Sequence, residues 1–329
     1  MIRTVVSELA APSQAMRDAL HRAFETVLEH DAAMSGLAAM TSLEAGGTAS
    51  SSGPLAFPIT VSAWNMERCL FVEASAAHLQ QHAPSVALLS EMDDGMARTG
   101  QRHTTRDLAG CMGMAYAYGV EFVEMGLGSD TEREFCTDSV NLKGFHGNGL
   151  ISAAPIREPF MIRLWGERLW RGDADQPRIG ERCAVGGLID TTSGPFVAVS
   201  VHLESATTPA YRERQTADML DRLEEVFPDL PILIGGDLNT GNHAGGDFEA
   251  EGLFAMGAAR GFSRHGGPLE QMTTRPSLIT RWPERTMKLD WFLTRGLEMS
   301  ETIITPSLDP SGRPLSDHDP ITTRILGFL

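Results

Sequence analysis

Paired cysteines are missing from this chain. Its four cysteines, Cys69, Cys111, Cys136 and Cys183, are widely spaced, and no CxxC occurs. That spacing excludes a zinc cluster or a disulfide framework as the organising device and points to reduced thiols. Basic residues are also scarce: 27 Lys and Arg stand against 43 Asp and Glu, a formal net charge of -16. Affinity for nucleic acid is dominated by phosphate contacts, so this balance argues against a broad electrostatic grip on DNA or RNA. It leaves room for a local basic patch, and for a nuclease in which a bound divalent cation meets the phosphate. No apolar run reaches about 18 residues, so no membrane span is expected. The N-terminus, Met1-Ile2-Arg3-Thr4-Val5-Val6-Ser7-Glu8, lacks the apolar core of a signal peptide, and the expected location is the cytoplasm.

What is present is ordinary for a soluble globular protein: 329 residues, 42% hydrophobic and 21% charged. That length supports one large domain or two small ones with a substantial core. Residues 1–57 read as a helical extension followed by a linker. Met16, Leu20, Phe24, Val27 and Leu28 recur at helical spacing, which predicts a helix over 13–30 with Ser13 as N-cap. Residues 44–54, rich in Gly, Ser and Ala, have linker composition and are expected to be mobile. The main domain is expected to span 58–329.

Within it, short apolar strands repeatedly end on a polar residue. Strand 59–65 ends at Asn65, with Glu67 close behind. A helix over about 69–82 leads to strand 86–90, which delivers Glu91. Strand 196–201 delivers His202. A helix over 209–227 then leads to strand 231–234 and to Gly235-Gly236-Asp237-Leu238-Asn239. The glycines permit a tight turn, and Asp237 and Asn239 can face one crevice if the chain stays extended. A carboxylate and a carboxamide at a strand end can hold a hard metal ion and an oxygen nucleophile beside it. Further strands are expected at 148–152, at 183–189 (a hairpin with the strand after Ser193-Gly194), and in the tail before and after Asp317-His318. Two halves with the same grammar suggest two sheets face to face with helices outside, while periodicity alone leaves a doubly wound sheet open.

Trp64-Asn65, Ser90-Glu91, His202, Gly236-Asp237-Leu238-Asn239, Leu289-Asp290 and Ser316-Asp317-His318 occur in an order and spacing that resembles the endonuclease/exonuclease/phosphatase superfamily. That superfamily includes pancreatic-type deoxyribonucleases, apurinic-site endonucleases, neutral sphingomyelinases and inositol polyphosphate 5-phosphatases. The resemblance runs from about residue 59 to the C-terminus. It implies an α/β fold, a four-layer α/β/β/α sandwich of two packed mixed sheets with outer helices and a site at one edge. It also implies divalent-metal-dependent hydrolysis of a phosphate ester, with Mg²⁺ or Mn²⁺ as cofactor. Under it, Glu91 is a direct metal ligand, Asn65 stands beside the metal, Asp317 is a second carboxylate there, and Glu67 occupies a place where some members carry an acidic ligand. Asp237 would orient or deprotonate the attacking water, and Asn239 would steady the water or phosphate. His202 and His318 would contact phosphate oxygens or move a proton, with Asp290 fixing the His318 tautomer.

Three features lie outside those motifs. Asn148, in a glycine-rich stretch, is a candidate phosphate contact. Arg98 and Arg102, with His103 and Arg106, form a candidate anion-binding patch after Glu91. Trp165, Trp170 and Arg171 are placed in a loop that could shape the substrate pocket. The expected partner is a phosphate-ester substrate, favoured as a phosphodiester of a small or lipid-derived molecule, with a DNA or RNA nuclease as the alternative. A non-catalytic binding module on the same fold would be expected to have lost site residues, and none is missing here.

Overall fold

A computed structural model of the chain describes residues 1–282, 284 and 286–329. The chain opens with β1 (Val5–Val6), α1 (Gln14–Leu20), α2 (Val27–Ser35) and β2 (Leu43–Gly47). It continues through β3 (Ile59–Arg68), α3 (Val72–Gln80), β4 (Val86–Asp94), α4 (Thr104–Met112), β5 (Ala115–Glu124), α5 (Asp130–Arg133) and β6 (Phe145–Ser152). Next come β7 (Ile156–Arg163), β8 (Arg178–Gly180), β9 (Cys183–Thr191), β10 (Gly194–His202), α6 (Pro209–Val226) and β11 (Ile232–Asp237). The chain closes with α7 (Gly252–Ala259), β12 (Ser263–His265), β13 (Asp290–Arg295), β14 (Leu297–Met299), β15 (Ile303–Ile304) and β16 (Ile321–Phe328).

The strands form two sheets. One runs β1-β2-β5-β6-β4-β3-β16-β14, with β15 on β16 and β8 on β5; the other runs β12-β13-β11-β10-β9-β7. Both are mixed: β3 with β4, and β10 with β11, are parallel, while most other pairs are antiparallel. The sheets pack through Ile59, Val61, Ala63, Leu88 and Leu150 on one side and Val185, Ala198, Leu233 and Phe292 on the other, all buried. Outside the first sheet, Val72 and Leu79 of α3 and Leu108 of α4 cover Trp64, Leu89 and Ile151. Outside the second, Met219, Leu220 and Leu223 of α6 cover Val197, Val199, Ile232 and Ile234. Each such fully buried Leu or Phe contributes roughly 1.5–3 kcal/mol, which sets the register firmly. The result is the four-layer α/β/β/α sandwich. No helix among the described residues is long and apolar enough to cross a membrane.

Strand parity places the site. Side chains alternate along a strand, so the inward series of β3 runs Ile59, Val61, Ala63 and then Asn65. In β10 it runs Phe196, Ala198, Ser200, His202, and in β11 Leu233, Gly235, Asp237. The antiparallel β13 contributes Phe292 and then Asp290. The space between the sheets is therefore apolar in its middle and turns polar at one edge. Gly235 lets the sheets close up above that edge, since a Cβ there would lie 2.7 Å from the Phe292 ring and 2.8 Å from Leu88 Cδ1.

The N-terminal segment differs from the expectation in two places. The single helix predicted over 13–30 is two helices, because Thr26 starts a new one: its side chain accepts from Glu29 N, while Ser13 caps the first as expected. The stretch expected to be a mobile linker contains β2, a strand of the first sheet paired with β5 through Glu44–Tyr118 and Gly47–Ala115. Glu44 explains why. Its carboxylate is fully buried and accepts from Leu9 N (2.9 Å) and Tyr116 Oη (2.7 Å), with His103 Nε2 at 3.0 Å. Burial alone would raise its pKa, yet His103, Tyr116 and the Leu9 N–H hold it down to about 2.

Candidate active site

Asn65 joins the two sheets. Its Nδ2 donates to Glu91 Oε1 (3.2 Å) on one side and Asp237 Oδ2 (3.0 Å) on the other, and its Oδ1 accepts from Glu67 N (3.1 Å). Glu91 reaches this point against the parity of β4, which would turn it outward with Leu89. Its backbone is left-handed (φ 55°), and the β4–β6 register shifts between Leu89 and Met92. This irregularity re-aims the carboxylate, as bulges beside functional sites do. The Glu91 carboxylate also pairs with Arg68, which in turn donates from Nε to Glu132 Oε1 at 2.8 Å. Burial opposes ionisation of Glu91, but Arg68 and then His202 hold its pKa well below the carboxylate range.

Asp237 is the centre of the cluster. One of its oxygens, Oδ2, lies 3.5 Å from His202 Nε2 and 3.6 Å from His318 Nε2, so an imidazole stands on each side. Its other oxygen accepts from Asn239 N (2.8 Å), which fixes the carboxylate at the strand end. Asn239 has a left-handed backbone (φ 50°); its Nδ2 donates to Leu203 O (3.0 Å), tying the two catalytic-strand ends together. Behind this loop, the buried Arg212 donates to Glu251, whose carboxylate also accepts from Gly241 N (2.8 Å).

The Ser316-Asp317-His318 segment docks onto the end of β3. Ser316 Oγ donates to Asn65 O (2.6 Å), and Trp64 Nε1 donates to His318 O (2.8 Å). His318 Nδ1 is 2.8 Å from Asp290 Oδ2, the pairing expected to fix its tautomer. Burial would depress the imidazolium, but Asp290, Asp237 and Asp317 raise its pKa to about 10. On the other side, Arg182 Nη1 lies 2.8 Å and 3.2 Å from the two ring nitrogens of His202, and Glu121 Oε2 lies 3.5 Å from Nδ1.

Glu67 is tied to a neighbouring loop through one oxygen. Its Oε1 accepts from Ser277 Oγ (2.5 Å), Thr280 Oγ1 (2.8 Å) and Thr280 N (3.1 Å), which pins the 277–280 loop beside the site. Burial first, and then Asp317, push its pKa up to about 8. Asn148 is fully buried and spends Nδ2 on Cys183 O (2.7 Å) and Glu121 Oε1 (3.2 Å), so it braces Glu121 rather than presenting a donor to the crevice.

The basic patch proposed around Arg98 and Arg102 is corrected by the structure. Arg98 is buried and saturated: it donates to both Asp93 oxygens (2.8 and 2.9 Å), Glu124 (2.8 Å) and Glu132 (2.9 Å). Four such bonds leave no fork for an anion. Arg102 is half exposed on the helix side and pairs with Glu73 and Asp107, both at 2.7 Å. Cations that do stand beside Glu91 include Arg68 and Arg182, neither of which the sequence singled out. Arg68 closes β3 and Arg182 lies between β8 and β9, each next to an acidic neighbour, Glu67 or Glu181, and that doublet is a faint signal.

The donor set suits a hard divalent cation. It is made of carboxylates and an amide without cysteine, the oxygen chemistry that a hard cation prefers. Among the described residues, Asp237, Asp290 and His318 bring one ligand-type atom each within 4.8 Å of one another; a second such cluster, Glu44, Asp94 and His103, includes the network that holds β2.

This fold and this edge define a class, the sandwich-fold enzymes that act on phosphate esters. The chain belongs to the Endonuclease/Exonuclease/phosphatase family, whose model matches residues 63–318. No curated protein matches the chain. Among solved structures, it is similar to an endonuclease/exonuclease/phosphatase from Beutenbergia cavernae (16% identity, 82% of this chain and 72% of that one, TM-score 0.60). It is also similar to the human Nocturnin catalytic domain with bound sulfate (18%, 87% and 97%, TM-score 0.58). A mannosyl-6-phosphatase from Bacteroides thetaiotaomicron is a third (14%, 82% and 100%, TM-score 0.55). At these identities the likeness is one of fold.

Proposed function

We propose that this chain hydrolyses phosphate esters, favouring a phosphodiester of a small molecule, with Mg²⁺ or Mn²⁺ as cofactor. The observation that carries the reading is the convergence on Asp237: Asn65 at 3.0 Å, His202 at 3.5 Å and His318 at 3.6 Å all address one oxygen. Phosphate esters resist water because their anionic oxygens repel a nucleophile and the leaving alkoxide is poor. A divalent cation held by Glu91, with Asn65 beside it and Asp317 and Glu67 as further carboxylates, would supply neutralisation of that charge.

The remaining chemistry belongs to the side chains. Asp237, held by Asn239 N, orients a water and accepts its proton. Asn239 keeps the Asp237 and His202 strand ends in step through Leu203 O. The imidazoles of His202 and His318 flank the reacting phosphoryl group, one donating to a nonbridging oxygen and the other supplying the leaving-group proton. Asp290 keeps His318 Nε2 turned toward that group, and Arg182 and Glu121 hold His202. The net charge of -16 supports a small substrate over long duplex DNA.

Turnover of bis-p-nitrophenyl phosphate with Mg²⁺ or Mn²⁺ tests this. Glu91→Ala and His318→Ala are each expected to lose on the order of a hundredfold or more in kcat. Activity that survives chelation of the metal, or unchanged rates in both variants, refutes the reading. A panel of plasmid, single-stranded DNA, RNA, abasic duplex, glycerophosphodiesters and inositol phosphates, with Glu91→Ala as control, then separates small diesters from the nuclease alternative.

A further inference from the structure

A cavity of about 180 Å³ opens beside Glu91, lined by Arg68, Phe122, Glu124, His146, Trp170, Arg178, Arg182 and Ser205. Three guanidiniums meet there, and they are not equivalent. Arg68 is spent on Glu91 and Glu132, and Arg182 on Glu121 (3.3 Å) and Glu204 (3.4 Å). Arg178 is different. Its nearest carboxylates, Asp173 at 3.7 Å and Glu124 at 4.0 Å, lie beyond hydrogen-bonding distance, and its Nε is buried with no partner among the described residues.

A mostly buried guanidinium that donates no hydrogen bond is costly, because its donors have left water without replacement. Something else holds it in place. Arg178 lies 4.7 Å over the Trp170 ring and 5.7 Å from that of Phe122, and Trp170 is itself fixed by donating from Nε1 to Glu204 (2.9 Å). The rings hold the cation at the cavity wall, and among the described residues its fork has carboxylate neighbours only beyond hydrogen-bonding distance. Of the carboxylates beside it, Glu124 is engaged by Arg98 at 2.8 Å, and Asp173, 3.7 Å away, accepts at Oδ1 from Asp175 N and Gln176 N. His146 commits Nδ1 to Asp93 (2.9 Å), which leaves its other ring nitrogen for the cavity it lines, and Ser205 adds a hydroxyl. A planar fork, an imidazole and a hydroxyl around a small void match the oxygens of a phosphate group.

We infer that this cavity is a subsite for a second phosphate group, so that the preferred substrate is a small phosphate ester carrying another phosphate near the scissile one. The inference rests on the phosphoesterase reading of the adjacent centre and adds the substrate class to it. Arg178 is then the specificity-determining residue, and Trp170 positions it.

The test separates the two ideas. Calorimetry on the full chain compares ethylene glycol bisphosphate with ethyl phosphate, without added metal. The bisphosphate is expected to bind at least about tenfold more tightly, the size of about one charge-assisted hydrogen bond. Arg178→Gln is expected to bring that ratio to about one, and Arg178→Lys to restore part of it. Equal affinities in the wild type overturn the inference without any variant, and so does a ratio that Arg178→Gln leaves intact. Turnover of bis-p-nitrophenyl phosphate is measured alongside. If it is absent while the binding ratio holds, the reaction reading fails and the subsite stands.

Discussion

Replacing Arg98 by Met is the most demanding test of how the first sheet carries its charges. The guanidinium is buried and bonded to Asp93, Glu124 and Glu132 at 2.8 to 2.9 Å. Met keeps the stem's apolar contacts and removes the cation, leaving buried carboxylates with Arg68 as the remaining neighbour of Glu132. Breaking one buried ion pair from one side costs about 3–5 kcal/mol, and here several acceptors lose their donor at once. Against a total of about 5–15 kcal/mol, that is about a fifth or more of the stability. The sign of the pH dependence sharpens the test. In the wild type, burial would raise Glu132, but Arg68 and Arg98 hold it down to about 2, below its usual 4.5. Its contribution is therefore complete above pH 4.5 and is lost as pH falls through 2, so between pH 7 and 5.5 it is flat. In Arg98→Met, the largest counterweight to burial at Glu124 is gone, with His146, Arg178 and Arg68 left, and its folded pKa is expected to rise above the unfolded one. The folded state then binds the extra proton, and stability grows as pH falls from 7 to 5.5. Each proton taken up is worth about 1.4 kcal/mol per pH unit, so the deficit should shrink by up to about 2 kcal/mol over that range. Urea unfolding followed by tryptophan fluorescence at both pH values measures this. A loss under about 1 kcal/mol at pH 7, or a deficit independent of pH, refutes the reasoning. A variant of normal stability that binds substrate poorly would instead restore Arg98 as an anion ligand.

Glu44→Gln should cost ~3 kcal/mol near neutral pH, from a pKa held at about 2 against an ordinary 4.5, and the cost should fade as pH drops from 4.5 toward 2; thermal melts across that range report it. Arg212→Leu should cost about 3–5 kcal/mol by stranding buried Glu251, and Arg212→Leu combined with Glu251→Leu should recover most of it; a urea double-mutant cycle gives the coupling, and additive losses would show that the pair does not act as one unit. Gly236→Ala places a Cβ 2.0 Å from Val201 O at a residue with φ 147°, so it should cost more than about 2 kcal/mol and move His202 and Asp237 apart; a variant with unchanged melting and turnover would refute that spacing.

Three of the candidate site residues were legible for one reason: each follows the alternating apolar run of a strand. Asn65, His202 and Asp237 are the next inward positions after Ala63, Ser200 and Gly235, so hydrophobic parity alone aims them at one edge. What the pattern could not supply was charge compensation. Arg98 read as one of a run of exposed basic residues because two of its partners, Glu124 and Glu132, arrive from a strand and a short helix 26 and 34 residues away. Arg182 and Glu121 were invisible for the same reason, as isolated charges whose meaning depends on His202 across the crevice. The Gly-rich stretch holding β2 illustrates the converse error. Its composition favours a flexible linker, and one fully buried carboxylate, Glu44, with donors from Leu9 and Tyr116, overrides that propensity. Glu91 lies between these cases. Its place after a buried strand was readable, but parity pointed it outward, and only the left-handed turn at φ 55° brings it to Asn65. Strained backbone at that one position is therefore part of how the two sheets come to share a single site: without it, the carboxylate from the first sheet and Asp237 from the second would face opposite sides of β4.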